Sequence, residues 1–145
     1  MKKGALMMIR LQPKEAAWTG LRWLFALFFF GVGLIIAYCL ITGTPSPWVQ
    51  PTAAAAALDR AFHESGIIDP PLAASYLVGG AALAVRRTAP LGLFLLAPAV
   101  TIIMLFDTVL AKLPIPGLSV PLIWAMLAVH HFEGFRCLWN FGQDH

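Results

Sequence analysis

Charge is what this sequence has least of. Of its 145 residues only 12% are Asp, Glu, Lys or Arg, while 59% are apolar. That is about half the charged share of an ordinary soluble domain, which argues against a water-soluble fold. Cysteine is scarce as well, with 2 in the chain, Cys39 and Cys137. There is no Cys-x-x-Cys, no Gly-x-Ser-x-Gly and no phosphate loop, so thiol-redox, hydrolase and nucleotide-driven chemistries lack their residues. The 10 Lys and Arg against 7 Asp and Glu leave an excess of +3. These charges are not clustered into a nucleic-acid footprint, and no nucleic-acid partner is expected.

What fills the sequence instead is apolar runs. At roughly 20 residues per membrane span, the chain accommodates four spans with short connections, a single membrane domain over 1–145. The first, 23–42, runs from Trp23 to Thr42 without a charge. It is longer than the 7–15-residue apolar region of a signal peptide, so cleavage is not expected. Tyr38, ahead of Cys39, is too large for a lipid-attachment site. Pro45, Pro47 and Pro51 then break the helix. Thr52 is the expected cap of a short amphipathic helix from Ala53 to Glu64, stopped by Gly66, with Leu58 and Phe62 on one face. Asp69-Pro70-Pro71 opens a second span, about 70–86, whose Gly79 and Gly80 suit close helix approach and an enclosed position. The third covers about 89–110, with Pro90 in the first turn and a kink expected at Pro98. The fourth is expected over about 119–138, capped by Ser119 with Pro121 just inside. Alternatively it slides outward to start near Leu113.

Charge sets the orientation. Lys2, Lys3, Arg10, Lys14, Arg22, Arg86, Arg87 and Arg136 fall on one side of these spans, and only Arg60 and Lys112 on the other. By the positive-inside rule both termini are cytoplasmic. The expected fold is all-α, an integral membrane four-helix bundle with a short amphipathic helix in the outer loop between spans 1 and 2.

Several segments resemble the DoxX-like family of small four-helix bacterial and archaeal membrane proteins, over roughly residues 22–138. They are Phe62-His63-Glu64-Ser65-Gly66-Ile67-Ile68, then Tyr76-Leu77-Val78-Gly79-Gly80-Ala81-Ala82-Leu83-Ala84, and Arg87-Thr88-Ala89-Pro90-Leu91-Gly92. Leu96-Ala97-Pro98-Ala99 and Phe106-Asp107 complete the set. At two positions the chain departs from many members: Tyr76 stands where they have Glu, and Asp107 where they have His. The resemblance implies a multi-pass protein of the bacterial inner membrane, associated with electron-transfer machinery rather than itself catalytic.

Ionisable residues within spans are expensive and usually face a partner or a cavity, which leaves a short list. His130 and Glu133, at i, i+3 on the fourth helix, share one face. With Tyr76 they are the candidate quinone-binding residues. If the fourth span slides outward, both His instead sit at the interface. Asp107 and His131 are further polar positions in or near spans, Asp107 being expected as an interfacial carboxylate near Lys112, Arg60 or His63. Adjacent His130 and His131 point about 100° apart on a helix and cannot chelate one ion together, so no metal is expected. Arg86 and Arg87 serve as a topology lock or bind anionic lipid headgroups. Phe25, Phe28, Phe29 and Phe30 are expected to meet lipid or a partner protein. Cys39 and Cys137 are expected at opposite membrane faces, too far apart to bond. No catalytic activity and no cofactor within the chain are expected, a quinone or bound lipid being the ligands considered. The expected function is an accessory subunit that stabilises a larger redox or energy-converting membrane complex. The alternatives are a quinone-binding component of an oxidoreductase and a small transporter.

Overall fold

The computed structural model describes residues 13–45 and 47–132. These residues form α1 (Pro13–Thr42), α2 (Ala53–Ser65), α3 (Asp69–Ala84), α4 (Ala89–Leu105) and α5 (Pro114–His130), with a π-helical turn, Phe106–Leu110, continuing α4. No strand occurs among the described residues.

Each helix boundary has a local cause. Pro13 takes the first position of α1, where its missing N–H is no loss, and Glu15 in the first turn complements the helix dipole. α1 therefore begins ten residues before the charge-free run. Thr52 caps α2, its hydroxyl accepting from the Ala55 N–H at 3.1 Å, and Gly66 ends that helix at φ +63°, a conformation glycine adopts without steric cost. The Thr52 hydroxyl also donates to the Leu110 carbonyl at 2.7 Å, docking α2 on the π-helical turn. α2 and α3 meet at 93°, and the His63 ring and the Asp69 carboxylate close that corner at 2.9 Å.

α4 runs through Pro98 without interruption, leaving the Phe94 carbonyl without an N–H from the ring nitrogen. It then widens, with the Ala111 N–H reaching back to the Phe106 carbonyl at 2.9 Å. Lys112 turns the chain at φ +56°.

α5 begins at Pro114, and Ser119 is not its cap. Ser119 lies inside the helix with its hydroxyl donating to the Pro116 carbonyl at 3.2 Å. Pro114 and Pro116 stand in the first turn, where prolines lacking N–H groups start a helix instead of breaking it. The start after Leu113 is the outward-shifted placement, and the helix runs to His130. The expected continuation to 138 lies outside the described residues past Phe132.

α1 packs on α3, α3 on α4, and α4 on α5. On α1 the side facing α3 is a stripe at helical spacing, with Arg22, Phe25, Ala26, Phe29 and Gly33 all buried. The expectation that all four phenylalanines meet lipid or a partner is corrected here. Phe25 and Phe29 lie four apart on the buried stripe, while Phe28 points away, 50% exposed, and Phe30, 37% exposed, stands at the edge of the stripe beside Gly80. Glycines make the contacts close. A Cβ on Gly80 would stand 2.9 Å from the Phe30 nitrogen, and one on Gly92 2.6 Å from the Leu83 nitrogen. Phe29, Leu83, Leu93, Leu96 and Leu127 fill what remains, fully buried.

Two helices, Glu15–Thr42 and Ala89–Leu110, are long and apolar enough to cross a membrane, and the bent α2–α3 pair is a third if counted as one span. α5 is apolar but shorter, at 17 residues.

Candidate functional site

Helix register gathers the polar side chains at one end of the molecule. Between α1 and α3 the register is antiparallel, with Gly33 against Tyr76 and Leu77, and Ala26 and Phe30 against Gly80. Carried on at equal rise, it sets Arg22 beside the C-terminal end of α3 and Arg86. Between α4 and α5, Trp124 donates its indole N–H to the Leu93 carbonyl at 2.9 Å. Seven residues further along α5, and seven back along α4, the same register brings His131 level with Arg86. The electrostatics agree, since Arg22 and Arg86 lie in each other's field and His131 in the field of both.

Within this end, the Trp18 indole and the His130 imidazole stack with centroids 4.5 Å apart and planes 8° from parallel, joining α1 to α5. His130 meets His131 edge-on at 5.0 Å. The His131 Nδ1–H donates to the Leu127 carbonyl at 3.0 Å, and its Nε2 has no hydrogen bond among the described residues. An open groove of about 420 Å³ runs alongside, lined by Trp18, Ala125, Met126, Val129 and His130. Arg86 reaches Glu15 at 3.9 Å, both side chains well exposed.

Arg22 is the unusual member. It is 7% exposed, and its Nε has no hydrogen-bond partner among the described residues. Buried charges are ordinarily paired, because taking an ion out of water costs several kcal/mol. The sequence carried a signal for it: Arg22 falls at i−4 and i−7 from Ala26 and Phe29, on the stripe that faces α3. Counting Arg22 only among the orienting charges passes over that periodicity.

Two of the three expected quinone-site residues, His130 and Tyr76, stand at different levels of the fold. His130 rests on Trp18, whereas Tyr76 rests on Phe29, ring centroids 5.3 Å apart. Eleven residues of α1 separate Trp18 from Phe29, about 16 Å of helix. Glu133, the third residue of that set, lies outside the described residues, as does Cys137, so its separation from Cys39 is not defined. Cys39 itself is buried near the Pro45 carbonyl.

Asp107 lies in the π-helical turn, half-buried, its Cβ against Gly117. None of its three expected cations pairs with it among the described residues, since His63 is engaged by Asp69 instead. Asp107 does lie within the electrostatic reach of Tyr76. Arg86 and Arg87 are both exposed in the α3–α4 turn. Among the described residues no group of three or more His, Cys, Asp or Glu side chains converges as a metal site would require.

No family model matches the sequence, and neither a curated protein nor a solved structure does.

Proposed function

We propose that this protein is a small integral membrane accessory subunit, a four-helix bundle that packs against and stabilises a larger membrane complex. The observation that carries this reading is the bare flank of α1. Its main neighbour is α3, and Leu24, Leu27, Phe28, Leu34 and Ile41 project from it, each half exposed or more. An apolar face of this size fits lipid or another protein, and its ring-bearing residues supply contact area of the kind that anchors interfaces. The close-packed interior also favours a packing role over a transport path, because polar routes through bundles need facing ionisable groups.

The redox or energy-converting character of the complex, and placement in a bacterial inner membrane, rest on the DoxX-like resemblance. The orientation with both termini cytoplasmic rests on the eight-to-two division of Lys and Arg.

The test is purification from gently solubilised native membranes. The wild-type chain is expected to carry a stoichiometric partner, and the Leu27→Ala, Phe28→Ala double variant to lose most of it while keeping its helix content and melting temperature. A wild-type protein that purifies alone, with α1 coated only by lipid, overturns the reading.

A further inference from the structure

Beyond any docking role, Arg22 calls for a ligand. Arg22 as a residue is 7% exposed, its Nε is unpartnered among the described residues, and the helix register sets it beside Arg86, with no ion pair to Arg22 among the described residues. Two cations held near one another repel, the more so where one of them is taken out of water as Arg22 is, and an anion between them relieves that cost. The sole carboxylate ion-paired at this end among the described residues is Glu15, at 3.9 Å from Arg86. That contact is long and exposed, and contributes little.

We propose that this end of the molecule binds a phosphate-bearing group of net negative charge, held by Arg22 and closed over by Arg86. Guanidinium forks match phosphate oxygens in geometry. A phosphate between the two side chains separates the like charges. The level in the fold suits a headgroup: Trp18 and Trp23 flank Arg22 on α1 where the apolar run starts, the position indole rings take at a membrane interface. Basic pockets between helices at that depth hold anionic lipid headgroups. Free phosphate offers the same oxygens, and only experiment separates the two sources.

The test uses the full-length chain in neutral detergent and reads its melting temperature and its binding curve as ligand is added. The probes are phosphatidylglycerol, phosphatidylcholine at equal amount, and inorganic phosphate at matched charge. Phosphatidylglycerol is expected to raise the melting temperature in a saturable way, and phosphatidylcholine is not. A matching rise with inorganic phosphate assigns the site to a soluble phosphate. A rise with phosphatidylglycerol alone assigns it to the headgroup. Arg22→Gln should abolish the response. If Arg22→Gln fails to fold, Arg86→Gln decides, because that side chain is exposed. It should weaken binding about tenfold, the size of one charge-assisted contact, while Arg60→Gln, on α2, leaves it unchanged. Equal stabilisation by phosphatidylcholine, no response to either anion, or an unaltered response in Arg86→Gln overturns the proposal.

Discussion

Gly92 of α4 faces Gly79 of α3 so closely that a Cβ on Gly92 would stand 2.7 Å from the Gly79 carbonyl oxygen. The neighbours on that side are main-chain atoms, which cannot rotate away as a side-chain tip can. Gly92→Ala is therefore expected to push α3 and α4 apart and to lower stability by about 1–3 kcal/mol, the usual cost of overpacking. Gly31→Ala, with nothing within 4 Å of the added carbon, is the matched control. It should be neutral or mildly stabilising, since alanine is the better helix former. Thermal unfolding in one detergent compares the two, and equal melting temperatures would show that α3 and α4 do not approach as described.

The phenylalanines of α1 should divide in the same assay. Phe29 is fully buried against Phe25 and Tyr76, and Phe29→Ala is expected to cost about 3–5 kcal/mol. Phe28, half exposed, should cost under about 1 kcal/mol when replaced by Ala, because surface positions away from caps and pairs are mostly tolerant. A Phe28→Ala loss equal to that of Phe29→Ala would mean that the helix is rotated.

Thr52 serves two partners with one hydroxyl, accepting from the Ala55 N–H and donating to the Leu110 carbonyl. Thr52→Val keeps the shape and removes both bonds, so it should destabilise by about 1–2 kcal/mol. Hydrogen exchange would locate the effect, with amides of α2 and of the Phe106–Leu110 turn exchanging faster and those of α3 unchanged. Protection lost evenly over the whole chain would contradict a local role.

Much of this was legible because prolines, glycines and caps act within a few residues. Thr52, Gly66, Asp69 with its two prolines, and the Arg86-Arg87 pair each mark a helix boundary in the sequence and again in the fold. The start of α5 was legible only as one of two placements, since a Pro-x-Pro-Gly segment reads equally as a turn or as a helix's first turn; the structure takes the start near Leu113, with Gly117 packed against Thr108. The π-helical turn carries no sequence signature, because Phe-Asp-Thr-Val-Leu is compatible with an ordinary helix. The burial of Arg22 was missed for a different reason: its charge was read only for orientation, while its position on the α1 stripe dictates burial. Tyr76 and His130 stand at different levels along α1, an axial separation that residue type does not encode.

Topology follows from the same geometry. Thr52 and Leu110 touch at one end of the helices, while Arg86 and Glu15 meet at the other. Reporter fusions at Asp59 and Lys112 should therefore share one behaviour and fusions at Arg87 the opposite one, with Asp59 and Lys112 active in the periplasm by the positive-inside rule. Like signals from Lys112 and Arg87 would remove α4 as a span.

α1 and α3 lie side by side, yet one has 30 residues and the other 16. At 1.5 Å per residue α3 reaches only about 24 Å, short of the roughly 30 Å hydrocarbon layer that the Trp23–Thr42 part of α1 matches. In a bilayer the polar first turns of α1 stand clear of the acyl chains, and the lipids bordering α3 must compress relative to those bordering α1. The molecule thereby presents a stepped hydrophobic thickness around its rim, which favours thinner membranes, tilts α1, or draws in a neighbouring protein whose own short helices match the step.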